Sequence, residues 1–194
     1  MKFRALVALA AAAMLAGCGI NSVPTAEENV KAKWADVQTA YQRRNDTIPN
    51  LVATVKGSVS AEDKVLTDVM NARARATSIQ VNADQLEDPA KLAQFQAAQA
   101  GVSSSLGRLV ATVEAYPDVK SQDNFKTLMS QIDRENARIQ IAQRDYNGAV
   151  QAYNTRIRTF PDAIGAKIFY GAKPKAPFQA DAGAEKNPTV DFSK

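Results

Sequence analysis

The sequence predicts an all-α fold, an antiparallel up-and-down bundle of four long helices followed by an irregular C-terminal tail. Three observations carry that expectation. Read in sevens, residues 121–160 give Phe125, Ile132, Ile139, Tyr146, Tyr153 and Phe160, an apolar column that a helix packed along its length keeps in register. Leu92, Phe95, Val102, Leu106, Leu109, Val113 and Tyr116 form a second stripe, again largely in sevens. The segments between stripes are short and marked by proline, so neighbouring helices should run antiparallel.

The chain opens with Lys2 and Arg4, an apolar run from Ala5 to Ala16, and then Leu15-Ala16-Gly17-Cys18. A short basic segment, about a dozen apolar residues and small residues before a cysteine make a lipoprotein signal, too short to span a bilayer as a permanent helix. Residues 1–17 are expected to be cleaved and Cys18 acylated, its thiolate being the nucleophile that accepts the lipid. Several acyl chains on one residue hold a protein stably where a single chain does not. Gly19 follows the cysteine, with no Asp there, which in a Gram-negative cell points to the outer membrane, facing the periplasm. Residues 18–25 read as a tether.

Helix one starts at Ala26, with Glu27 and Glu28 suited to a helix N-terminus and Val30, Trp34, Val37 and Tyr41 on one face. It is expected to end between Asn45 and Ile48, because Pro49 disfavours helix in the residue before it and suits the first turn of the next. Helix two carries Leu51, Val52, Val55 and Val59, then Leu66, Val69, Ala72, Ala76 and Ile79. Gly57 and the following serines can interrupt it and Ser60-Ala61-Glu62-Asp63 resembles a capping box, so residues 49–81 are one kinked helix or two. Asp88-Pro89 opens helix three and Pro117 closes it, while Ser121 caps helix four, which should be about 60 Å long. Gly148 lies inside helix four, where it costs about 1 kcal/mol relative to alanine, through a close helix contact or by chance. The bundle thus spans 26–160. Residues 161–194, rich in Ala, Pro, Gly and Lys, form a loosely draped tail whose aromatics dock on the bundle or on a partner.

Composition narrows function by exclusion. The chain has 194 residues, no histidine and one cysteine. That removes His-based metal sites, Ser-His and Cys-His nucleophilic pairs, and a disulfide. The formal net charge of +4 includes Lys2 and Arg4, leaving about +2 on the mature chain, and no basic surface interleaved with aromatics marks a nucleic-acid partner.

Several stretches resemble the LemA family: Tyr41 to Gly57, Asn71-Ala72-Arg73-Ala74-Arg75, Glu114-Ala115-Tyr116-Pro117, Asn124-Phe125, Glu135-Asn136 with Ile139, and Tyr146 to Asn154. The resemblance continues through Phe160-Pro161, Ile164 to Gly171 and Glu185 to Phe192, covering nearly the whole mature chain. It implies an antiparallel helical bundle and brings no established catalytic residues. Family members often have an apolar N-terminal anchor, and here a lipobox stands in its place. Ser58 and Gln179 depart from the family's commoner aromatic and Glu.

Two groups of polar residues remain. Glu135 and Asn136 lie on the inner seam of helix four, where a polar group needs a partner, and Arg73, Arg75 or Arg108 on neighbouring helices could supply one. A sharper reading makes Glu114 and Glu135 a cation site or acid/base pair. Carboxylate sites in helical bundles use Glu-x-x-His, so a structural role is favoured and neither metal nor cofactor is expected. Arg43, Arg44, Asn45 and Asp46 read as a charged corner at the first turn, solvated or touching phospholipid headgroups or an acidic partner. The Tyr146-Asn147 and Tyr153-Asn154 pairs look like a polar rim to the core. The resulting expectation is a non-enzymatic, lipid-anchored bacterial envelope protein serving as a protein-interaction scaffold, attached to the membrane through Cys18. The alternative is a binding module for a small or lipidic ligand between the helices.

Overall fold

The computed structural model describes residues 21–56 and 63–179. Cys18, the Ser60 capping box and residues 180–194 lie outside the described residues. Four long helices make the bundle: α1 (Ser22–Lys56), α2 (Asp63–Ser78), α3 (Pro89–Val113) and, after the short α4 (Pro117–Ser121), α5 (Asp123–Arg156). A 3-10 turn (Ala83–Glu87) precedes α3, and α6 (Asp162–Gly165) with a π turn (Ala166–Tyr170) follows α5. The fold class expected from periodicity is the one found.

The boundaries differ in four places. Helix one begins at Ser22, not Ala26, so the end of the stretch read as a tether is helical and Val23 is buried in the core. Helix one does not end before Pro49. It runs through to Lys56, because Ile48, Leu51 and Val55 continue the buried stripe begun by Val30, Trp34 and Val37. Proline at 49 has no N–H for the carbonyl of Asn45, four residues back, which ordinarily breaks a helix. Here that carbonyl accepts a 2.7 Å hydrogen bond from Arg73 Nε of α2, so the orphaned acceptor is satisfied from the next helix. Ser121 does not cap the last helix either. Pro117 starts the separate turn α4, in which Ser121 Oγ donates to the Asp118 carbonyl, and Gln122 sits at the start of α5. The column of sevens holds from Phe125 to Tyr153, all buried, and then fails: α5 stops at Arg156 after about 51 Å, and Phe160 is 82% exposed. By contrast the Asp88 cap is as read, its carboxylate accepting from Ala90 N at 2.9 Å and Lys91 N at 3.4 Å. A β-carbon at Gly148 would meet nothing within 4 Å, so no close helix contact requires glycine there.

Two apolar cores lie along the bundle. One holds Trp34, Tyr41, Phe95, Tyr146, Tyr153 and Phe178, the other Ile48, Leu51, Val69, Leu109, Phe125 and Ile132. At 16 residues α2 is about 24 Å long against about 52 Å for the 35-residue α1, and it serves the second core alone. In the first core its place is taken by the 3-10 turn and by the tail, which is irregular but not loose. Residues 172–179 form an extended strap. Asn154 clamps Lys175 through Oδ1 and Nδ2, both at 2.8 Å, and Asn147 clamps Phe178 at 2.8 and 3.1 Å. Ala176 N donates to the Leu86 carbonyl and Tyr146 OH to the Ala176 carbonyl. Pro177 has no N–H to satisfy, so the strap's backbone donors from 175 to 178 are all met. Seven helical residues advance about 10.5 Å and three extended residues about 10 Å, which is why asparagines seven apart seize strap residues three apart.

Candidate functional site

Between the two cores the bundle is polar inside. Arg44, Asn45 and Thr47 of α1, Gln99 of α3 and Glu135 of α5 are all buried, each a turn from an apolar neighbour of either core. Arg44 is 3% exposed. Its Nη1 donates to Ser103 Oγ at 3.0 Å, and its Nη2 to Gln99 Oε1 at 2.8 Å and the Gln99 carbonyl at 3.3 Å. The guanidinium carbon lies 5.2 Å from the centre of the Tyr41 ring. All these partners are neutral, and among the described residues no carboxylate pairs with Arg44. Burial lowers its pKa, with the neighbouring Tyr41 acting in the opposite direction. Three atoms of this layer, Arg44 Nε, Asn45 Oδ1 and Glu135 Oε2, are buried without a hydrogen-bond partner.

Arg44 forms the floor of an open groove of about 430 Å³ whose walls are α3 and α5. The walls are amides: Gln96 and Gln99 on one side, Asn136, Gln140 and Gln143 on the other, with Gln179 of the strap at the rim. Gln143 Nε2 donates to Tyr41 OH at 2.7 Å across the floor. Sequence reasoning placed Arg44 on a surface corner because Pro49 implied a turn. With α1 continuous there is no corner, and Arg43 stays exposed while Arg44 turns inward.

The other expected residues are dispersed. Glu135 is buried, but its partner is Arg138 one turn on, Nη1 to Oε1 2.7 Å, not Arg73, Arg75 or Arg108. Arg73 is committed to the Asn45 carbonyl, Arg75 is exposed, and Arg108 is exposed with Nη1 on Ser104 Oγ. Asn136 is half-buried at the groove wall. Glu114 ends α3 at the exposed surface, 3.7 Å from Lys120, and the structure does not bring it to Glu135.

The strap carries a second charge cluster, which the sequence did not announce. Lys175, 4% exposed, lies 3.0 Å from both Glu27 Oε1 and Glu87 Oε1 and 5.7 Å from the Tyr153 ring centre. Burial alone would lower its pKa, but the hydrogen bonds Lys175 donates to the two carboxylates, with their negative charge, outweigh it and the net shift is upward. Burial also pushes the phenols of Tyr146 and Tyr153 up.

At the end of the bundle where α1 begins, apolar side chains face outward. Phe160, Ile164, Ile168 and Phe169 are 82%, 53%, 68% and 65% exposed, with Arg158 and Lys167 exposed among them. Arg156 fastens this end, donating from Nη1 to the Ser22 carbonyl at 3.2 Å and pairing with Asp162 at 3.6 Å. Among the described residues no helix is long and apolar enough to cross a membrane.

These features define a class: an all-helical bundle with a polar layer between two cores and a strap completing one of them. The LemA family model matches residues 33–192, and the chain belongs to that family. Two magnetosome proteins of Paramagnetospirillum magneticum, MamQ 1 and MamQ 2, are each 26% identical to it over 157 residues, covering 73% of this chain and 58% of theirs. MamQ of Magnetospirillum gryphiswaldense is 25% identical over the same length. The chain thus matches little more than half the length of these relatives.

Proposed function

We propose that this protein is a non-enzymatic, lipid-anchored scaffold of the bacterial cell envelope, standing on the outer membrane and presenting its helical sides to envelope proteins. The observation that carries the reading is the exposed apolar end formed by Phe160, Ile164, Ile168 and Phe169. Apolar side chains with basic neighbours gain by burial in a headgroup region and cost when left in water. Ser22 sits at that same end, and the four residues from Cys18 to it reach at most about 14 Å. An acylated Cys18 would therefore hold this face, and no other, against lipid. A non-catalytic role agrees with relatives named for the magnetosome and not for a reaction.

The test has two arms. Metabolic labelling with a palmitate analogue, followed by membrane fractionation, should find the protein acylated and in the outer membrane, and Cys18→Ser should abolish both. Unlipidated protein should bind anionic vesicles, and Phe160→Ser with Phe169→Ser should weaken that binding at unchanged helicity. Protein that takes up no label would remove the anchor, labelled protein outside the outer membrane would remove that location, and vesicle binding indifferent to the double substitution would remove the orientation. Partners cross-linked in the membrane and lost in Cys18→Ser support the scaffold. The alternative, a ligand between helices, has its own observation in the Arg44 groove.

A further inference from the structure

We infer that the groove between α1, α3 and α5 is a binding site for a small monocarboxylate, whose carboxylate supplies the countercharge that Arg44 lacks among the described residues. A guanidinium offers five N–H donors. Arg44 has three acceptors, Ser103 Oγ and the two oxygens of Gln99, and its Nε has none. Holding a cation 3% exposed among neutral partners is costly unless a charge of opposite sign is brought to it.

The groove shows what kind of anion fits. Among the described lining residues Arg44 is the one ionised side chain, so they give the site a single positive charge, which matches a single negative one. A phosphate dianion would need a second cation, and the lining holds none. The remaining walls are mostly side-chain amides, which donate and accept but repel no polar group, so the body of the ligand is uncharged and rich in amide or hydroxyl groups. An acyl chain finds little to bury against there, with only Ala100, Ile139 and the Tyr41 ring apolar among the described lining residues. A volume of about 430 Å³ suits a molecule of small-metabolite size. This reading does not depend on the lipid anchor, and it chooses the small polar ligand over the lipidic one.

The test uses the full-length chain in detergent and N-acetylalanine as the probe, with its neutral amide and inorganic phosphate as comparisons at fixed ionic strength. N-acetylalanine should raise Tm saturably and shift the Arg44 Nε–Hε signal in the NMR spectrum, because a ligand of the native state stabilises it. The amide should do neither, and phosphate should act more weakly. Arg44→Met should weaken the apparent affinity about tenfold or more. Ala100→Phe, which leaves Arg44 in place and fills the groove from the exposed face of α3, should do the same, so the test survives if Arg44→Met does not fold. No saturable response in the wild type, an equal response to the amide, a stronger one to phosphate, or unchanged binding in Ala100→Phe would each overturn the assignment.

Discussion

A single carbonyl decides where α1 ends. Pro49 deprives the Asn45 oxygen of its intrahelical donor, and Arg73 Nε replaces it from 28 residues away in the chain. The bond is charge-assisted and Asn45 is buried, so losing it should cost about 1.5–3 kcal/mol. Arg73→Met should show that loss in chemical denaturation. In a Pro49→Ala background the same substitution should cost much less, since the backbone N–H restored by that change can close the helix on Asn45. Additive effects in this double-mutant cycle would show that Arg73 does not serve the proline gap. The local rule that proline bounds a helix was legible in the sequence; its rescue was not, because nothing in residues 41–57 specifies a donor on another helix. Arg44 was misplaced for the same reason. The Glu135 partner, by contrast, lay three residues away at Arg138 and is the ordinary spacing of a helical ion pair.

At the level of elements, the strap does the work of a fourth helix over half the bundle. Phe178 stacks on Trp34 with ring centres 5.9 Å apart and meets Tyr146 edge-on at 5.4 Å. Lys175 reaches Glu27 and Glu87 beneath it, and its folded-state pKa lies above its unfolded one. That contribution to docking is fully present below the unfolded value of about 10.4 and is lost as pH rises through the raised folded value. Trp34 is the chain's one tryptophan, so its fluorescence reports the strap directly. Raising the pH above about 10.5 should change Trp34 emission while helicity holds, and Lys175→Met should remove that transition. A helical signal that falls together with Trp34 emission would mean that the strap has no separate equilibrium. The burial that raises the Tyr146 phenol keeps this neighbour from ionising first. Asparagines seven apart at 147 and 154 were visible as a polar rim. Their role as clamps was not, since an extended segment has no periodicity by which to match it.

The whole molecule is two cores on three continuous helices. Its class could be read from the sevens, because packing along α5 repeats with the helix itself; the division could not, because a buried Arg44 or Glu135 looks in sequence like any polar residue that fixes register. What joins the cores is backbone: α1 carries Trp34 in one and Leu51 in the other, α3 likewise carries Phe95 and Leu109, and α5 carries Tyr146 and Ile132. A helix cannot lose one half of its buried face without weakening the hydrogen-bonded turns that hold the other, so the cores should unfold as one unit despite the polar layer. Leu51 is 0% exposed, and Leu51→Ala should cost about 2–5 kcal/mol through lost burial and the space left behind. If the coupling holds, the Trp34 fluorescence midpoint in urea falls by the same amount as the helical signal, although Trp34 lies in the opposite core. A Trp34 midpoint that stays at its wild-type value while the helical signal splits into two transitions would mean that the polar layer is a true boundary. The Arg44 groove would then lie at the junction of two separately folding halves, and a ligand bound there would be expected to couple them.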